Sequence, residues 1–346
     1  MVHNECVAPA LTDLEWIHRL PKAEVHLHLE GCVDAAVVAV AAERHGATSP
    51  LPLDEGRPVL GGLAELLAYL DWSCALITEP DELATIAYES ARRSSVSGTR
   101  HIDVIANPTH WPGFADRLGL MLDALDDGFR NAEADGFATA TLCLSLKRQQ
   151  SATEALHFVD WMIERRHRRG GALSIDGNEA AGSHNERFAE AFGRAGAAGL
   201  RRCAHAGESS GADGGRVAIE LLGAERIDHG IRALEDPAVV AELVRRSIPL
   251  DICPSSNVIL GVVPSLAEHP VVPLAAAGVA FSLNTDDPLL YGIDLAGEYA
   301  RSAAAFGWDR PMLARIARTS IDSSFADDDR RHELHGELED FLATNA

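Results

Sequence analysis

Eight times along this chain a short apolar or β-branched run ends in polar residues, and an alanine-rich stretch of helical character separates each run from the next. The runs read AEVHLHLE (23–30), HIDVIANPTH (101–110), ATLCLSLKRQ (140–149), ALSIDGNE (172–179), RCAHAGES (202–209), RIDHGI (226–231), PLDICPSSN (249–257) and VAFSLNTDDP (279–288). Helices are expected between them, as at 185–200, 214–224 and 236–247. Strands that alternate with helices pair in parallel through right-handed crossovers. Eight such units predict an α/β fold, a closed (β/α)8 TIM barrel, and residues 1–346 read as one domain. The stretch 32–98 then becomes a helical insertion after the first strand, placed to cover the barrel mouth. An open doubly wound sheet is the alternative, but no G-x-G-x-x-G turn follows the first strand.

A chain of 346 residues that is 47% hydrophobic can bury one large core. Its net charge of −22 opposes attraction to phosphate backbones and anionic membrane surfaces, so neither nucleic acid nor membrane is an expected partner. The amino-terminal residues lack a basic, then apolar, leader pattern, and no segment runs ~18 apolar residues without interruption. A cytoplasmic protein is expected. Six scattered cysteines, none in a C-x-x-C pair, suggest reduced core thiols. Oligomeric state is left open, with a homo-oligomer compatible.

On a barrel of this kind chemistry sits at the carboxyl ends of the strands, where every run places its polar residues. In a strand, residues i and i+2 point the same way, so His26 and His28 face the mouth together. A lone core histidine is more often a satisfied polar group, and Asp-Asp-Pro alone reads as a turn. The joint pattern is what weighs against these readings: His205 and Glu208 in HAGE, His229 in DHG, and Asp286 and Asp287 in NTDDP also fall at strand ends. His26, His28, His205 and Asp286 supply three imidazoles and a carboxylate, a set suited to Zn²⁺, or to Fe²⁺, with one position left open for water. One ion per chain is expected. The fourth run has no lysine to bridge a second, although Lys147 ends the third run.

PKAEVHLHLEG, HAGE, RIDHG, CPSSN and SLNTDDP, in this order over nearly the whole length, resemble the adenosine deaminase family of the amidohydrolase superfamily. The resemblance implies zinc on His26, His28, His205 and Asp286. It makes Glu208 the proton donor to N1 of an adenine ring and His229 the residue that orients and helps deprotonate the attacking water. It also makes Asp287 the acceptor of a hydrogen bond from N7 and has the backbone amide of Gly177 meet N3. Deamination at C6 destroys ring aromaticity and moves charge onto N1, so a carboxylic acid of raised pKa is needed there. Relatives acting on adenosine often carry aspartate where this chain has Glu30, which either accepts a bond from a ribose hydroxyl or fills the ribose space. The expected substrate is a small aminopurine: adenosine or a 5′-modified adenosine, with adenine as the alternative. An amide, lactone or phosphoester hydrolase and a non-catalytic relative are the rival readings. The combined H-x-E and P-C-x-x-C signature of polynucleotide deaminases is absent, since no P-C-x-x-C occurs.

Overall fold

The computed structural model describes residues 12–179 and 185–345, so Cys6 lies outside the described residues. The eight runs form the strands β1 (Lys22–His28), β2 (Thr99–Ala106), β3 (Thr139–Lys147), β4 (Gly170–Asp176), β5 (Arg201–Ala206), β6 (Arg226–His229), β7 (Leu250–Ile252) and β8 (Phe281–Leu283). Each pairs in parallel with the next in chain order, as a (β/α)8 barrel requires. The expected helices appear as Ala189–Ala197, Ala212–Glu220 and Pro237–Arg246. The last is capped by Asp236, whose side chain accepts from Ala238 N at 2.9 Å and satisfies a helix-terminal donor. Cys32, Cys74, Cys143, Cys203 and Cys253 are buried and free. No helix among the described residues is long and apolar enough to cross a membrane.

Closure between β8 and β1 does not use a regular ladder. Asn284 inserts its side chain instead: its Oδ1 accepts from Val25 N at 2.8 Å and from His26 N at 3.1 Å. Glu24 Oε1 accepts from Thr285 N at 3.1 Å and Thr285 Oγ1 at 2.6 Å. Asp286 then pairs with Leu27 as an isolated parallel bridge, donating to His26 O at 3.2 Å and accepting from His28 N at 2.9 Å.

The stretch 32–98 is mostly an insertion, with one difference from the sequence expectation. Helices Ala35–His45 and Leu63–Ala75 and the small ribbon Leu53–Asp54/Arg57–Pro58 are additions to the barrel. Pro80–Val96 instead belongs to the outer helical ring. It buries Leu83, Ile86, Ala87 and Ala91 and crosses helix Leu118–Ala134 so closely that a Cβ on Gly128 would lie 2.1 Å from Ala84 O.

Asn284→Ala should lower the unfolding free energy by about 2–4 kcal/mol, because two buried N–H groups lose their acceptor. A lower urea midpoint at unchanged slope is the expected outcome. An unchanged midpoint would show that the closure rests on other contacts.

Candidate active site

The end of β1 and the Asp286 bridge bring the expected donors together. His26 Nε2 and His28 Nε2 lie 3.1 and 3.0 Å from His205 Nε2, and 3.3 and 3.4 Å from Asp286 Oδ1. His26 Nδ1 is 3.1 Å from the carbonyl of Asp251, which can only accept, so the proton sits on Nδ1 and the lone pair on Nε2. His205 Nδ1 lies 3.2 Å from Asp228 Oδ2, which assigns His205 in the same way. If both were neutral, two imidazole lone pairs would face one another at 3.1 Å; against its burial, His26 is instead pushed well above the usual histidine range by Cys253 and Asp286, so that a proton takes the place of a cation. That contact repels unless a cation lies between them, so the donor set fits a metal ion. Burial holds His28 down at about 4, in the neutral form a ligand needs. His26, His205, His229 and Asp286 also form a group whose donor atoms all lie within 4.8 Å of one another.

Two of these residues sit in the left-handed backbone region, which non-glycine residues avoid: His229 at φ 63° and Asp286 at φ 68°. Strain of this kind, of order 1–3 kcal/mol per residue, persists only where the surroundings over-determine it. For Asp286 the clamp is its two backbone bonds to β1. For His229 it is a hydrogen-bond chain. Val271 N donates to His269 Nδ1 at 3.1 Å, and His269 Nε2 donates to Asn257 Oδ1 at 3.1 Å. Asn257 Nδ2 then donates to His229 Nδ1 at 3.3 Å. Each step fixes the next, since a backbone N–H can only donate. Neutral His229 thus carries its proton on Nε2, aimed at Glu208 Oε1 (3.6 Å) and Asp286 Oδ2 (3.9 Å). Burial, and then the nearby His26, keep it neutral well below the usual histidine range.

Glu208 is buried, and its carboxyl is pushed up to about 8 by burial, then by the charges of Asp286 and Glu179. Gly207, at φ 69°, provides the turn that returns Glu208 over the site. Asp287 is also raised well above the carboxylate range, by burial and then by Asp286 and Glu30. Its Oδ2 accepts from Tyr291 Oη at 3.3 Å, while its buried Oδ1 has no protein partner. Only glycine fits at position 31, where a Cβ would lie 2.2 Å from Asp287 Oδ1 and 2.5 Å from its Cα.

Glu30 lies on the same side, and its Oε1 is pinned by Asn107 N at 2.8 Å and Trp111 Nε1 at 2.9 Å. Its buried Oε2 has no hydrogen-bond partner and lies 4.0 Å from His28 Nδ1. The segment after β2 is therefore part of the site. Asn107 Nδ2 also donates to Asp176 Oδ1 at 2.6 Å. Gly177, at φ 91°, lines the same cavity as Asp176, His110 and the metal-site residues. Leu63, Leu66, Leu67 and Leu70 of the insertion close over it, the cover that the sequence predicts. Lys147 turns instead to Asp71, 3.2 Å away.

Sequence reasoning gave no role to Asn107, Trp111, Arg148 or Glu179. Arg148, fully buried, donates to Gly177 O and His205 O and stands 3.7 Å from Glu179. Proximity to IDGNE and LKRQ was the only signal available.

The adenosine deaminase family model matches residues 21–341. An adenine deaminase from Cupriavidus necator is 30% identical over 334 residues, covering 95% of this chain and 94% of that protein. An aminodeoxyfutalosine deaminase from Streptomyces avermitilis is 32% identical over 342 residues, covering 95% and 93%. Among solved structures, an amidohydrolase from Burkholderia ambifaria with bound Zn superimposes with a TM-score of 0.86 at 28% identity, covering 99% of this chain and 96% of that one. The donor cluster at the barrel mouth and a family match over nearly the whole chain lead to one conclusion: the chain belongs to the adenosine deaminase family and is a hydrolytic deaminase.

Proposed function

We propose that this site replaces the C6 amino group of a 6-aminopurine by oxygen from water, and that free adenine is the substrate it handles best, giving hypoxanthine and ammonia. His26, His28, His205 and Asp286 Oδ1 would hold Zn²⁺, which when bound supplies the Lewis acidity that brings water's ionisation towards neutral pH. His229 is left out of this set because its Nε2 carries a proton and faces the other carboxylate oxygen of Asp286.

Proton bookkeeping assigns the remaining roles. Glu208, protonated at neutral pH, gives its proton to N1 as charge moves there. Asp287, also held protonated, donates to the N7 lone pair, so it serves as donor where the resemblance makes it the acceptor. His229 Nε2–H orients the attacking water, the orienting half of its expected role. Asp286 Oδ2 takes one water proton and passes it to the departing amino group, which leaves as ammonia. The proton Glu208 gave stays on N1 of the product, and the hydroxyl proton of the collapsing adduct replaces it.

The choice of the free base rests on pinned Glu30. With N7 at Asp287, the next edge of the purine is C8 and N9, and Glu30, which lines the same cavity and whose charge acts on Asp287, would be the carboxylate to meet it. Asn107 N and Trp111 Nε1 stop it from swinging away, so its unpartnered Oε2 meets an N9–H that adenine has and a nucleoside lacks. The four leucines of the cover offer a sugar no hydrogen bonds. The nucleoside expected from sequence remains the second reading, favoured by His110 and Asp176, which also face the cavity.

Purified protein should carry about one zinc per chain by elemental analysis, and His205→Ala should lose it. Full activity after exhaustive chelation would refute the metal assignment. Glu208→Gln should keep metal and fold but lose kcat by about 100-fold. In the native protein the working form of Glu208 is the protonated one, present below its pKa and lost above it. kcat/KM should therefore fall as pH rises through about 8, and Glu208→Gln should lack that limb. Adenine should exceed adenosine and 5′-modified adenosines in kcat/KM by tenfold or more, about 1.4 kcal/mol, and Trp111→Phe should narrow the gap by releasing Glu30. A nucleoside exceeding adenine by that margin would select the second reading.

A further inference from the structure

The turn that carries Glu208 is held by an anion the chain provides itself. Four successive backbone N–H groups point at one buried carboxylate: Glu179 Oε1 accepts from Gly207 N at 3.0 Å, and Oε2 from Glu208 N at 2.9 Å, Ser209 N at 3.2 Å and Ser210 N at 3.3 Å. Converging N–H groups of this kind form an anion-binding concavity. Space for the carboxylate depends on Gly214, where a Cβ would lie 2.7 Å from Glu179 Oε1. Arg148 balances the charge. It spans the ends of three strands, rooted just after β3, bonded to Gly177 O after β4 and to His205 O on β5, with Nη2 3.7 Å from Glu179 Oε1. Left-handed Gly177 provides the bend between β4 and Glu179.

We propose that Glu179, backed by Arg148, is a positioning residue for proton transfer: it fixes the backbone from which Glu208 reaches N1. It does not touch the reacting atoms. Its action runs through Glu208, so the inference rests on the deaminase reading given above. Charge-assisted bonds to a carboxylate are about twice as strong as neutral ones, so glutamine should hold the turn only in part. Displacement of a catalytic group by about 1 Å can cost about 100-fold in rate, far more than uniform weakening of substrate binding would take from kcat.

The test is a double-mutant cycle, with kcat, KM and zinc content measured on adenine. Glu179→Ala should lower kcat at least tenfold with KM and zinc held within twofold, and Glu179→Gln should fall between alanine and the native protein. In the Glu208→Gln background the same substitutions should cost less than twofold further, since the group they position is already disabled. Where Glu179→Ala does not fold, the glutamine variant carries the cycle. Losses that multiply in the double variant, a rise in KM alone, or loss of zinc in step with activity would each overturn the positioning role. Native-like activity of Glu208→Gln by itself would instead overturn the deaminase reading of Glu208, so the two failures are distinguishable.

Discussion

The site depends on one short stretch of backbone pairing, the bridge by which Asp286 seats between His26 and His28 on β1. Asp286 N donates to His26 O and Asp286 O accepts from His28 N, so the aspartate is locked in register with both histidines by the same bonds that complete the barrel. Barrel closure and assembly of the donor set are therefore one event. The left-handed conformation of Asp286 follows from it, because the chain must leave β8, pair briefly with β1 and turn into Asp287 and Pro288 within a few residues. A side chain held this way loses little further freedom when a ligand binds, which is what a preorganised site requires.

Residues three apart on β5 acquire different tasks for a related reason. His205, still on the strand, points its Nε2 at the donor cluster, with Asp228 on the neighbouring strand behind it. Glu208, past the glycine turn, leans over the cavity from above. The two are kept apart electrostatically: His205 faces carboxylates, whereas Glu208 sits where burial and the charges of Asp286 and Glu179 favour its protonated form. With net charge −22 overall, a neutral carboxylic acid at the reaction centre is also the form that a crowded acidic pocket tolerates.

Much of this was legible in the sequence because its periods are local. Strand alternation put His26 and His28 on one face, and the polar ends of the runs named His205, Glu208, His229, Asp286 and Asp287, all of which converge. What stayed hidden depends on contacts that span the chain or use backbone groups. Trp111 reaches Glu30 across 81 residues, and Asn284 closes the barrel across more than 250. Glu179 is held at the turn by backbone N–H groups, which no residue pattern announces. Helix Pro80–Val96 was absorbed into the insertion because nothing in its amphipathic pattern distinguishes packing on a barrel from packing on a cover.

The tautomer of His229 shows how far from the reacting atoms the chemistry is decided. A histidine beside a donor cluster can act as ligand, base or donor, and its own sequence context, RIDHG, does not choose among them. The choice begins at Val271, at the start of an outer helix, whose N–H can only donate and so makes His269 Nδ1 an acceptor. From there Asn257 has one orientation and His229 one tautomer. Reversing it would require a donor at His269 Nδ1 to face another donor, or the amide of Asn257 to rotate against both neighbours. Each leaves a buried polar group unpaired at about 1–3 kcal/mol. That margin is enough to hold the Nε2 proton in place at neutral pH, which makes His229 a fixed hydrogen-bond donor and, in the proposed reaction, would leave the water's proton to the carboxylate of Asp286.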